Sequence, residues 1–358
     1  MSEKKVYPIQ PILEDPAVNE IMIDGYEHVY IERGGKLEDI PSPFESESQL
    51  LEMIDEVLAS CGLRADESNP IVDARLADGS RFNVVMRPIA INGPHVTLRK
   101  MFIGKLDEDD LIRFGAVSEP MMRFLRACIR ARMNILVSGG TASGKTTVLT
   151  ILARMIPDDE RIVLLQSDEV ILDKPRLARL ETRPANLDGR GQVSMQDLVT
   201  NAMRMRPDRI VTTEVHGAEV LDLIQGMNNG HDGCLQSIHA DSVYDALSRL
   251  ELMVGYANPA LPTLTVRGQI ASAFDLVVQT NRLKDGRRRL VKISEVTGVS
   301  EGVVTTRDIF EFRQTGLVEN RIAGYFSATG NIPGAIKDLQ DVGVDLPLSI
   351  FTPSDTSQ

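Results

Sequence analysis

The chain has 358 residues, a hydrophobic share of 42%, a charged share of 25% and a formal net charge of −12, the profile of a globular protein of about two domains. The acidic balance, with 4% aromatic residues and no tryptophan, argues against direct nucleic-acid contact, which needs a basic face or stacking platforms. No run approaches the roughly 18–20 apolar residues of a membrane span, no apolar core follows the first basic residues as in a secretory signal, and Cys61, Cys128 and Cys234 lie too far apart for a metal site, so a cytoplasmic chain with reduced thiols is expected.

Residues 1–17 read as an extension ahead of a small α+β domain over residues 18–102. In that domain residues 29–33 form a strand ending at Gly34 and Gly35, and residues 46–59 carry Leu50, Leu51, Ile54, Val57 and Leu58 at helical spacing. Residues 71–76 and 81–86 flank the turn Ala77-Asp-Gly-Ser80 as a hairpin, and residues 95–100 add a strand. Residues 103–117 read as a linker whose acidic residues suit the first turn of a short helix at 111–114, with a hinge over residues 101–112.

Over residues 118–350 helices alternate with short apolar strands, the mark of an α/β sheet. The pattern gives a helix over 118–133, strands over 134–138 and 161–165, and a helix over 194–205 with Ser194 and Asp197 at capping-box spacing. A strand over 209–215 precedes a helix that Gly230 closes after Asn229; a strand over 234–240 and a helix over 242–254 follow. Residues 275–283 and 287–296 form a hairpin around Lys284-Asp-Gly286, the remaining pattern is mixed, and residues 351–358 read as a tail.

The chemistry concentrates at Gly139, Gly140, Thr141, Ala142, Ser143, Gly144, Lys145, Thr146 and Thr147. This run satisfies G-x-x-x-x-G-K-[ST] and falls between an apolar strand and a helix, the context a P-loop requires. Glycines let successive backbone N–H groups point at a β-phosphate, Lys145 neutralises β/γ charge, the Thr146 hydroxyl holds Mg²⁺, and the helix adds its positive end. The loop alone does not choose between a kinase, a switch GTPase and a motor; ATP is favoured because no N/T-K-x-D guanine signature is present. Glu214 ends a strand, where an acid in a P-loop fold can polarise water and meet Mg²⁺ through water, or simply be solvated. His239 also ends a strand, where a neutral imidazole can sense the γ-phosphate, bridge to a neighbouring subunit or fill a structural role.

At these residues the sequence resembles the type II/IV secretion ATPase superfamily, most closely the CpaF-type ATPases of tight-adherence pili. The resemblance covers about residues 18–350 and includes Asn19-Glu-Ile-Met, Asp66-Glu-Ser, Asp73-Ala-Arg-Leu-Ala-Asp-Gly-Ser-Arg81 and Thr97-Leu-Arg-Lys100. It continues through Asp110-Leu-Ile-Arg-Phe-Gly115, Arg179-Leu-Glu-Thr-Arg-Pro184, Arg204-Met-Arg-Pro-Asp-Arg209, Gly230-His-Asp-Gly233, Ile238-His-Ala240 and Asp245-Ala-Leu-Ser-Arg-Leu-Glu251. It implies a RecA-like ATPase domain with C-terminal additions after the N-terminal domain, ATP and Mg²⁺ as cofactors, and a homo-hexameric ring with the nucleotide between the domains. It further implies peripheral association with the inner membrane through a platform protein of a pilus or secretion machine. By position, Glu214 is the Walker B glutamate, and His231 and His239 stand in a histidine box. Arg81 and Arg99, with Arg75 nearby, reach phosphate from the N-terminal domain, and Arg179 and Arg183 lie near the nucleotide from the other domain; arginine suits this through its permanent, forked charge.

Three departures stand out. The acidic box of the family is replaced by Gln166 and Ser167, so that Asp168 and Glu169 could substitute only across a bulge, with Glu169 the candidate catalytic acid. Thr213 and His216 flank Glu214 where the family has Gly and Arg. The loop reads T-A-S-G rather than T-G-S-G, an exchange Ala142 tolerates where φ is negative. The expected function is an ATP-driven motor for pilus assembly or secretion. The alternatives are a slow or non-hydrolysing nucleotide-dependent scaffold and a type IV secretion ATPase for DNA or protein transfer.

Overall fold

The computed structural model describes residues 8–34, 36–100, 106–166, 170, 172–183, 190–318, 321–341 and 343–353. They divide into two units, Met1–Lys105 and Leu106–Gln358.

The first unit is a six-stranded sheet with helices on one face. Its strands are β1 (Val18–Asp24), β2 (His28–Arg33), β3 (Lys36–Ile40), β4 (Ile71–Arg75), β5 (Arg81–Val85) and β6 (His95–Arg99). They run antiparallel in the order β3-β2-β1-β6-β5-β4. Period-2 alternation sends Ile21, Ile23, Phe82, Val84, Val96 and Leu98 to one face, where they pack on Leu50, Ile54 and Leu58 of α2 (Glu47–Ser60). Ser46 caps α2 by accepting from Gln49 N. Residues 8–17 are not an extension: α1 (Gln10–Glu14) follows Ile9, which is buried in this core, and Lys100 Nζ donates to the Asp15 carbonyl at 2.7 Å.

The second unit centres on a nine-stranded mixed sheet. It opens with α3 (Glu108–Arg113) and α4 (Glu119–Arg130), then β7 (Ile135–Gly139), α5 (Lys145–Arg154), β8 (Ile162–Gln166) and β9 (Leu177–Glu181). Next come α6 (Met195–Ala202), β10 (Arg209–Thr212), α7 (Glu219–Asn228), β11 (Leu235–His239), α8 (Val243–Ala257) and α9 (Thr263–Ala273). The unit closes with β12 (Leu276–Arg282), β13 (Arg288–Ser300), β14 (Val303–Val318), β15 (Arg321–Ala328) and α10 (Ile336–Asp341). The sheet order is β15-β14-β13-β12-β7-β11-β10-β8-β9. The six strands from β12 to β9 are parallel; β13 to β15 extend the sheet antiparallel.

The strand that precedes the P-loop thus lies inside the parallel part, with β11 on one side and β12 on the other. Alternate residues feed two cores: Ile135 and Val137 face α4 and α5, while Leu136 faces the side of α6 to α9. Phe124, Phe310 and Phe351 form an aromatic trio that ties the chain's end to α4.

Two expectations are corrected. Residues 106–117, read as part of the linker, pack into the second unit: Leu111 is buried, the Asp107–Asp110 capping box fixes α3, and Arg154 Nη1 donates to the Leu106 carbonyl at 2.6 Å. Residues 101–105 lie outside the described residues. Helix α4 ends at Arg130 rather than Met133, because Arg132 takes a left-handed φ of 58°.

Candidate active site

The P-loop is the turn from β7 into α5, and its glycines are required by close approach. A Cβ on Gly139 would collide with Ser143 Oγ and with Thr280, its register partner on β12. Ser143 Oγ and Thr280 Oγ1 are hydrogen-bonded at 2.9 Å, and Thr280 Oγ1 lies 3.0 Å from the Ser138 carbonyl. This hydroxyl relay fixes the curl of the loop. Gly144 caps α5 with φ 97°, after which Lys145, Thr146 and Thr147 present first-turn amides that have no intrahelical acceptor. Thr141 and Ala142 at the crown are exposed. Ala142 has φ 56°, so the expectation of a negative φ is overturned. The family's glycine would suit this left-handed position, and alanine holds it at a cost of about 1–2 kcal/mol.

Lys145 is 9% exposed and its Nζ donates to the Gly140 carbonyl at 3.0 Å. Burial lowers its pKa; the charge of Glu214 opposes that, Arg249 adds to it, and Asp241 again opposes. A partly desolvated ammonium beside a glycine loop that admits no Cβ at Gly139 is well matched to a phosphate group.

Three flanking positions converge on this loop. His239, the last residue of β11, is the register partner of Gly139 and is half-buried. Glu214 follows β10, also half-buried, between Thr213 N, which donates to the Leu165 carbonyl, and Val215 N, which donates to the Ser237 carbonyl. Asp241 Oδ1 stands 3.0 Å from where a Gly140 Cβ would be. Gln166 ends β8 at 3% exposure, and among the described residues its Oε1 has no hydrogen-bond partner. Ser167, Asp168 and Glu169 lie outside the described residues.

The remaining sequence-derived residues are placed elsewhere. Arg75, Arg81 and Arg99 are successive cross-strand partners on β4, β5 and β6, so one row of the first unit carries three adjacent guanidiniums; Arg81 also pairs with Asp73 at 3.0 Å. The row continues to Glu20, which stands opposite Arg99 on β1. Arg179 lies exposed on the edge strand β9, four strand spacings or about 19 Å from β7. Arg183 follows it, its Nε donating to the Gly191 carbonyl at 2.7 Å. His231 precedes β11 and packs by Gly226, at the strand end opposite His239 and about 15 Å or more from the loop. The structure brings neither the Arg179–Arg183 pair nor His231 to the loop within this chain.

Sequence reasoning missed Asp241, Thr280 and Arg288. Asp241 was findable, two residues beyond His239 on the same strand end. Thr280 and Arg288 carry no local signal, since only the pairing of β12 with β7 brings them to the loop.

A parallel sheet that brings a glycine loop, a buried lysine, a glutamate and a histidine together at one end is the arrangement of a RecA-like domain. The family model described as "Type II/IV secretion system protein" matches residues 2–318, and the chain belongs to that family. A "putative conjugal transfer protein" of Mycobacterium tuberculosis is 31% identical over 293 residues, 80% of this chain and 83% of that one. "Conjugal transfer protein TrbB" of Rhizobium radiobacter is 32% identical over 284 residues, 77% and 83% of the two chains. Among solved structures, the pilus retraction motor PilT with bound ADP aligns at a TM-score of 0.58 and 16% identity, covering 96% of this chain and 88% of that one. The ATPase DotB of Legionella pneumophila aligns at 0.53 and 17%, covering 85% and 84%. These two likenesses show the fold: an α+β N-terminal domain followed by a RecA-like ATPase domain. Among the described residues no helix is long and apolar enough to cross a membrane.

Proposed function

We propose that this chain binds and hydrolyses ATP with Mg²⁺ and works as a homo-hexameric, CpaF-type motor. It would drive pilus assembly or secretion from the cytoplasmic side, held at the inner membrane by a platform protein. The convergence of Lys145, Glu214 and His239 on one P-loop edge carries this reading. Lys145 neutralises the β/γ-phosphates, and the Thr146 hydroxyl and Glu214, the latter through water, would hold Mg²⁺, which supplies further charge neutralisation. Glu214 polarises the attacking water, and His239, beside the first glycine, senses the terminal phosphate. Arg75, Arg81 and Arg99 are retained as phosphate-binding residues on the resemblance alone. We assign Arg179, Arg183 and His231, which stand away from the loop in this chain, to a nucleotide held by a neighbouring copy in the ring. Glu169 is retained as a catalytic acid on the resemblance alone.

Two observations favour companion readings. The conjugal transfer names of the relatives support a type IV machine moving DNA or protein, with the motor chemistry unchanged. The amide of Gln166 and the left-handed Ala142 support a slow, partner-activated turnover or a nucleotide-dependent scaffold. Phosphate release from ATP by the purified protein, against Lys145→Ala, separates these. Hydrolysis that Lys145→Ala abolishes supports the motor. Turnover above ~1 s⁻¹ without partners contradicts the slow reading, and no nucleotide binding at all contradicts the function.

A further inference from the structure

The hairpin between β12 and β13 carries Arg282, Lys284, Arg287, Arg288 and Arg289 around a single acid, Asp285, in a chain of net charge −12. Alternation along β13 divides its arginines. Arg287 pairs with Asp285 at 2.6 Å and donates to the Ile322 carbonyl at 2.5 Å. Arg289 donates to the Gly115 carbonyl at 2.7 Å and lies over the Phe312 ring at 4.5 Å. Both are absorbed by the packing of the sheet.

Arg288 turns to the P-loop instead. Its Nε donates to the Ala142 carbonyl at 2.9 Å, and its Cδ lies 3.5 Å from where a Gly144 Cβ would be. It thus crosses the two left-handed residues of the loop, Ala142 at φ 56° and Gly144 at φ 97°. The first is a conformation that residues with a Cβ avoid, so something must hold it. The hydroxyl relay of Ser143 and Thr280 holds the loop on one side of Ala142; Arg288 supplies a charge-assisted bond to the carbonyl of Ala142 itself. Arg282 is the register partner of Arg288, and the repulsion between opposed like charges further favours an Arg288 that leans away to the loop.

We propose that Arg288 is a positioning residue of the phosphate loop, clamping the Ala142 peptide in the left-handed conformation that aims the loop amides. The clamp couples the C-terminal hairpin to the nucleotide site, and its relevance to binding rests on the reading of this loop as an ATP site.

Hydrogen exchange of peptides covering residues 139–147, without nucleotide, tests the clamp in wild type, Arg288→Ala, Ala142→Gly and the double variant. Arg288→Ala should speed exchange of the loop amides about five- to thirty-fold, the factor that release of a strained residue implies. In the Ala142→Gly background the same substitution should have little effect, because glycine holds this φ unaided. The dissociation constant of a fluorescent ADP analogue should follow: weakened in Arg288→Ala and restored in the double variant. Unchanged exchange in Arg288→Ala overturns the proposal, as does equal acceleration with and without Ala142→Gly. If the exchange pattern holds but wild type binds no ADP, the proposed function fails and the clamp stands.

Discussion

The two ends of the nine-stranded sheet use charge in opposite ways. At the carboxyl ends of the parallel strands, Lys145, Glu214, His239 and Asp241 gather around a loop that stores backbone strain at Ala142. At the amino ends, charge is sealed. Arg209, the first residue of β10, is 1% exposed and pairs with Glu160 through Nε at 2.6 Å and Nη2 at 3.1 Å. Its Nη2 also donates to the Ile129 carbonyl near the end of α4 at 2.7 Å, and Arg132 reaches Glu160 at 3.1 Å. A Cβ on Gly233 would clash with this guanidinium. The runs Arg204-Met-Arg-Pro-Asp-Arg209 and Gly230-His-Asp-Gly233 therefore meet through Arg209 and Gly233. At one end of this sheet the charged side chains surround the glycine loop; at the other, Arg209 and Glu160 tie β10 to α4.

That contrast can be broken by substitution. The largest effect belongs to the sealed end: Arg209→Met should cost about 3 kcal/mol or more, because it leaves the buried Glu160 carboxylate without its main partner. Urea unfolding measures this, and a loss below ~1 kcal/mol would mean the network is dispensable. At the open end, His239→Ala should leave stability unchanged and lower ATP turnover about 10–100-fold, as loss of a hydrogen bond to a charged group implies. The smallest effect sharpens the boundary between the two. Burial pushes the Cys234 thiol, beside the network, up to about 12. At pH 8 an alkylating reagent should therefore leave Cys234 and the buried Cys128 untouched while labelling the half-buried Cys61. Labelling of Cys234 in the native protein would show that this end opens.

How far the sequence carries depends on range. The P-loop was legible because strand, glycines, lysine and helix are contiguous, and the capping boxes at Asp107 and Ser194 because they span a single turn. Glu214 and His239 were legible as strand ends. What was missed is non-local. The φ of Ala142 is set by packing around it, and the contact of Arg288 exists only once β12 pairs with β7. Strands β14 and β15 escaped because much of β14 is solvent-exposed, so its residues do not alternate between apolar and polar. The segment 8–17 read as an extension because one buried residue, Ile9, anchors it.

Whether the open end of the sheet hydrolyses ATP is tested by Glu214→Gln, with ATP binding and steady-state phosphate release measured on the same preparation. The expected result is binding close to wild type with turnover reduced about 10²–10⁴-fold, since the amide keeps the shape of the carboxylate but cannot polarise water. Wild-type turnover in Glu214→Gln would show that Glu214 does not polarise the attacking water.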